Sequence, residues 1–202
     1  MGLNKKINIE NLKENRAVSE AREKLREDRT RGIVKWVFEI IVTLVFAVLV
    51  AISAFQTVTL QESAMEPTYS VSEKFFVNRA LYKVSSPKRG DVIVFKTSAS
   101  DSAALHIRRV IGLPGETVQV KDGKIYINGK VYEENGAYQD MTDGGLANSA
   151  ITLESGEYFV LGDNRNNSED SRFSDIGNIS KKYIVGKVWF TVSPKNKIGF
   201  IK

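Results

Sequence analysis

Side chains able to do covalent or acid–base chemistry gather in three short segments of this chain. The first, Ser63-Ala64-Met65-Glu66-Pro67-Thr68, sets a hydroxyl beside an alanine, with Glu62 just before it. The second, His106-Ile107-Arg108-Arg109-Val110-Ile111-Gly112-Leu113-Pro114-Gly115, contains the sole histidine, and the third runs Gly162-Asp163-Asn164-Arg165-Asn166-Asn167-Ser168-Glu169-Asp170-Ser171-Arg172. A hydroxyl nucleophile needs a neutral base beside it. Ser63 with His106 is the pair that residue types allow, but in an extended segment Ser63 faces away from the side that position 64 presents. Ordinary polar roles are the stronger reading for both. Arg108 keeps its proton and is no base. The chain has no cysteine, which removes thiol chemistry, disulfides and zinc clusters, and one histidine makes no His-rich metal site.

In this order, behind an apolar span, the three segments resemble the boxes of the bacterial type I signal peptidases (leader peptidases, serine peptidase family S26). In that family the first box reads Ser-Met-x-Pro-Thr and the second Lys-Arg-x-x-Gly-x-Pro-Gly, and a Ser/Lys dyad cuts signal peptides from exported preproteins. Here the nucleophile position holds Ala64 and the general-base position Arg108. The resemblance implies that Ser168 is the serine that hydrogen-bonds the family lysine, and that Asp170 and Arg172 form an acid–base pair buttressing the site. Met65 is expected beside the substrate groove. Gly90-Asp91-Val92-Ile93-Val94-Phe95 resembles the strand that offers backbone hydrogen bonds to an extended signal peptide, so Asp91, Val92 and Ile93 are expected to bind substrate.

Glu62 stands two positions before the nucleophile position, where the family often has a small residue; it is expected to point to solvent. The resemblance implies no metal and no organic cofactor, and as partners signal peptides of exported preproteins, the lipid bilayer and the secretion machinery. As written, the chain is expected to be inactive, and Ala64→Ser with Arg108→Lys is expected to restore processing. Two readings stand beside each other: a disabled signal peptidase, and a natural non-catalytic relative that binds peptides or assists surface-protein assembly.

These segments need positioning, and the chain shows how. Trp36 to Phe55 are twenty residues, of which only Glu39, Thr43 and Ser53 are not apolar. As a helix they span roughly 30 Å, the thickness of a bilayer core. Residues 1–35 hold ten Lys/Arg against six Asp/Glu, most of the chain's net +5. That asymmetry predicts a cytoplasmic N-terminus and an external C-terminal domain. It also leaves the remainder nearly neutral, which argues against nucleic acid as a partner. Pairs such as Glu20 with Lys24 and Glu27 with Arg31, at i,i+4 spacing, suit a solvated helix in the charged segment.

Beyond residue 56 short Val/Ile/Phe/Tyr runs alternate with turn residues. Asp-Gly at 122–123 and Asn-Gly at 128–129 predict two tight hairpins within a β-meander over 116–133. Residues 134–152 show no period and are expected to form a surface excursion. The fold class expected is mostly β: a single N-terminal transmembrane helix plus an extracytoplasmic antiparallel β domain of signal-peptidase type. Its divisions are 1–35 cytoplasmic, 36–55 transmembrane and 56–202 extracytoplasmic.

Overall fold

The computed structural model describes residues 3–100 and 103–201, and along the first helix the side chains of Val18, Ser19, Glu23, Lys24 and residue 26 onward. The expected Glu20–Lys24 pair lies outside the described residues. The chain divides into two units, 1–52 and 53–202.

The first unit lies within one helix, α1 (Leu3–Ala54), in which the charged segment and the apolar run are continuous. No proline interrupts it, and the expected Glu27–Arg31 pair is present at 2.8 Å. Its stretch Arg26–Ala54 is long and apolar enough to cross a membrane, and the large apolar side chains from Ile33 to Ile52 are exposed. Lys35 Nζ lies 3.9 Å from Glu39 Oε1, one turn away. The helix ends one residue earlier than the apolar run, because Phe55 already opens the first strand.

The second unit is mostly antiparallel β, as expected. Its strands are β1 (Phe55–Thr59), β2 (Lys74–Asn78), β3 (Val92–Phe95), β4 (His106–Gly112), β5 (Thr117–Lys121), β6 (Lys124–Ile127), β7 (Lys130–Val131), β8 (Ile151–Thr152), β9 (Glu157–Leu161), β10 (Ile179–Ser180), β11 (Ile184–Ser193) and β12 (Gly199–Phe200). A short helix, α2 (Leu81–Val84), follows β2. The larger sheet runs β1-β2-β11-β3-β4-β9-β10 with β12 on β11, and the smaller runs β7-β6-β5-β8.

The two predicted hairpins join β5 to β6 and β6 to β7. Asp122, Gly123, Asn128 and Gly129 all take positive φ, from 51 to 76°. Two consecutive residues at positive φ give the turn whose twist matches the flanking strands.

Alternation builds the core. Val92 and Val94 of β3 face one cluster with Phe75, Val77 and Ile107, while Ile93 and Phe95 face another with Val110, Tyr158 and Val160. β3 is therefore covered on both faces, which is why it reads as an uninterrupted apolar run. Residues 134–152 depart from expectation. Met141 and Ala147 are buried in a third cluster with Val118, Ile125 and Leu153, and Ile151–Thr152 pairs with β5 as β8. Single apolar residues spaced six apart leave no periodicity to read, so tertiary contacts alone define this stretch.

Candidate active site

The three chemical segments converge on one cleft of about 530 Å³, lined by Glu62, Ala64, Arg108, Ser168 and Glu169 among others. The register of the large sheet makes the opening. β4 pairs with β3 along His106–Arg109, but β9 covers its other side only from Arg109 to Gly112. The His106–Arg108 edge therefore has no strand partner on that side among the described residues. Facing it is the turn after β1, where Ser63–Met65 forms one turn of 3-10 helix.

Gly162 ties that turn to the third segment. A Cβ there would lie 2.1 Å from Ser168 Oγ and 2.5 Å from the Ala64 carbonyl oxygen, so only glycine lets the chains approach this closely. The Asn164 amide donates to that same Ala64 carbonyl at 3.0 Å.

Arg108 dominates the cleft wall. It is 1% exposed, and its guanidinium is fully engaged: Nε donates to the Glu169 carbonyl at 2.7 Å and Nη1 to the Ile107 carbonyl at 2.8 Å. Nη2 lies 2.6 Å from Glu62 Oε2. A buried cation is tolerated only when it is paired and hydrogen-bonded in this way.

Glu62 thus points into the cleft, contrary to the solvent orientation expected, because Arg108 would otherwise be an unpaired buried charge. His106 Nδ1 also lies 2.9 Å from Glu62 Oε1, without the alignment of a hydrogen bond. Burial alone raises the Glu62 carboxyl; His106 and Arg108 outweigh it and bring the carboxyl down to about 2. The His106 ring stacks on Phe95 with centroids 5.7 Å apart.

No nucleophile–base pair forms among the described residues of the cleft. Ser63 Oγ accepts from Asn167 Nδ2 at 3.3 Å, and His106 is turned to Glu62, so the Ser63–His106 alternative is not assembled. Ser168 Oγ is buried at the cleft and makes no hydrogen bond to the described residues. Ser168 and Arg108 both line the cleft, and the guanidinium is taken up by Glu169, Ile107 and Glu62.

Asp170 and Arg172 do form the expected pair, in a fork of 2.8 and 2.9 Å. Asp170 Oδ2 accepts from the Gly162 amide at 3.1 Å, and Arg172 Nη2 donates to the Arg165 carbonyl at 2.6 Å. Together they hold the loop that carries Ser168. Two further ion pairs, unforeseen from the sequence, brace it. Arg109 clasps Asp163 at 2.8 and 2.6 Å, and Arg165 clasps Glu134. Burial pulls the Arg109 guanidinium down and the Asp163 contact raises it by more, so it stays charged. Pairing partners 54 and 31 residues apart leave no local signal.

The four expected substrate contacts do not reach the cleft. Met65 is 0% exposed and packs in the core with Val58 and Phe75, since the 3-10 turn rotates it inward. Val92 and Ile93 lie in an interior strand, and β3 runs between β11 and β4 with no free edge to add a peptide. Asp91 accepts from Tyr82 Oη at 2.8 Å and pairs with Lys187 Nζ at 2.5 Å. It anchors the sheet. The open edge of the larger sheet at this cleft belongs to β4.

Fold and site together define a class: an antiparallel β domain that follows a long apolar helix in sequence and gathers Glu62, Ala64, Arg108 and Ser168 around one cleft. The sequence profile described as "Signal peptidase, peptidase S26" matches residues 33–193, and the chain belongs to that family. Signal peptidase I of Bacillus licheniformis is 33% identical over 178 residues, covering 85% of this chain and 94% of that protein. Signal peptidase I T of Bacillus subtilis is 33% identical over 183 residues, covering 87% and 93%. A crystal structure of a signal peptidase I from Enterococcus faecalis, 32% identical, covers 52% of this chain and 98% of that one with a TM-score of 0.42.

Proposed function

We propose that this chain is a non-catalytic member of its family, anchored by α1 with its N-terminus in the cytoplasm, that holds signal-peptide-like segments of exported proteins without cutting them. The observation that carries the reading is the Glu62–Arg108 pair. A methyl group at position 64 cannot attack a carbonyl, and a guanidinium at 108 cannot take a proton. Disabling an active site by substitution alone would leave the new guanidinium to find its own counter-charge. Here Glu62 supplies one at 2.6 Å, two positions before the vacated nucleophile, so the replacement is a fitted set. This favours a natural non-catalytic protein over a disabled enzyme.

The His106–Arg108 edge, which has no strand partner among the described residues on the side away from β3, supports peptide binding, since an extended segment can add to such an edge through main-chain hydrogen bonds. The test is to mix the full chain, in detergent, with a preprotein bearing an Ala-x-Ala site and to follow association and cleavage separately. Association without cleavage is the expected result. Turnover refutes the non-catalytic reading, and absence of association refutes peptide binding.

A further inference from the structure

Charge is unevenly placed around the cleft. Glu62, Glu169 and Asp175 line it, and Arg108 is the one cation among its described lining residues. That guanidinium is 1% exposed and already faces Glu62 at 2.6 Å, so it offers an incoming ligand no free charge. Glu169 and Asp175 are different. Both are exposed, and neither carboxylate has an ion pair among the described residues. Asp175 accepts from the neighbouring Ser174 hydroxyl at 3.4 Å, a neutral and distant donor. Two uncompensated carboxylates set a negative potential in the cleft, and its low-dielectric walls focus that field.

Other features of the cleft say what this field acts on. The His106–Arg108 edge of β4 has no strand partner among the described residues on the side away from β3, which suits an extended chain as the ligand. Ser168 Oγ, buried at the same cleft, makes no hydrogen bond to the described residues, and a peptide group entering the cleft can supply one. Phe173, half-buried, also lines the cleft, two positions before Asp175. A lysine or arginine side chain lays its methylene stem along such an apolar ring and keeps its cation at the polar rim. An alanine side chain is too short to do both.

We propose that the segment held by this cleft carries a lysine or arginine, its stem against Phe173 and its cation taken by Glu169 and Asp175. The proposal rests on the reading that the cleft binds peptide, and it names Glu169 and Asp175 as the residues that set its preference. The chain as a whole carries a net charge of +5, which disfavours basic ligands in general. A preference for them therefore reports the cleft.

The test uses the full chain in neutral detergent micelles and a dye-labelled dodecapeptide containing Ala-x-Ala, with binding followed by fluorescence anisotropy. A lysine scan moves one lysine through the peptide, and the tightest member is compared with the same peptide carrying acetyl-lysine at that position. Ion pairs in contact with solvent are worth a few-fold each, so two carboxylates should make the lysine peptide bind about ten-fold more tightly than its acetylated form. That advantage should shrink as salt is raised. In Glu169→Gln/Asp175→Asn, with circular dichroism confirming a folded domain, the ratio should fall to about one. A ratio near one in the unaltered chain overturns the proposal and leaves peptide binding standing. So does a ratio that survives the double substitution, because the cation would then be taken elsewhere. Absence of binding by every peptide of the scan refutes the peptide-binding reading itself, and the proposal with it.

Discussion

Restoring a serine and a lysine to positions 64 and 108 should by itself restore only slow catalysis, because Glu62 remains. The catalytic lysine of a Ser/Lys dyad must be neutral to accept a proton. A lysine replacing Arg108 would lie near a carboxylate that now sits 2.6 Å from the guanidinium. Two unit charges 4 Å apart attract by about 4 kcal/mol at an effective dielectric constant near 20. The Glu62 side chain is 34% exposed, and halving the attraction for that solvent contact leaves about 2 kcal/mol. This favours the charged amine and cuts its neutral fraction roughly thirty-fold at any pH below its pKa.

The expectation drawn from the two boxes is therefore revised. Ala64→Ser/Arg108→Lys should process an Ala-x-Ala preprotein at least about thirty-fold more slowly than Glu62→Ser/Ala64→Ser/Arg108→Lys. The assay compares initial cleavage rates of both variants in the same detergent, with circular dichroism confirming that both are folded. Equal rates would refute the role given to Glu62. Activity in the double variant that disappears on His106→Ala would show that another base serves.

Three other outcomes follow from the same geometry. Glu62 is brought from 4.5 to about 2 in the folded protein, so its contribution is fully present above pH 4.5 and is lost as pH falls toward 2. The melting temperature of Glu62→Gln should therefore fall less than that of the parent over that window, and parallel slopes would contradict the pairing. Asp163→Ala leaves Arg109 buried without its fork and should cost about 3–5 kcal/mol in urea unfolding, whereas a loss below about 1 kcal/mol would mean that the pair is not formed. Gly162→Ala forces a Cβ against Ser168 and the Ala64 carbonyl, and should destabilise by about 1–3 kcal/mol; a neutral result would show that the loop lies farther from the 63–65 turn. For the proposed topology, protease added to intact cells should degrade the β domain and spare the N-terminal segment, and protection of the β domain would reverse the orientation.

Much of this protein is written locally. An apolar run needs no distant partner to form a helix, and Asp122-Gly123 and Asn128-Gly129 specify their turns through backbone freedom alone. Family membership was legible for the same reason, since the boxes are contiguous residues. The stretch 134–152 was not, because Met141 and Ala147 acquire meaning only against β5 and β6.

At the cleft the division is sharper. Residue identity by itself determined that neither nucleophile nor neutral base stands at positions 64 and 108, since a methyl group and a guanidinium have fixed chemistry in any fold. It also determined that Asp170 and Arg172, two residues apart, could pair. Only the tertiary structure decided that β3 is an interior strand, that Met65 belongs to the core and that the open edge is on β4. Strand order depends on pairings between residues far apart in the chain, and a Val/Ile-rich run reads alike at the centre or the rim of a sheet. The direction of Glu62 was decided in the same way. An isolated carboxylate prefers water, and what turned it inward was a buried guanidinium 46 positions later, brought within 2.6 Å by the fold.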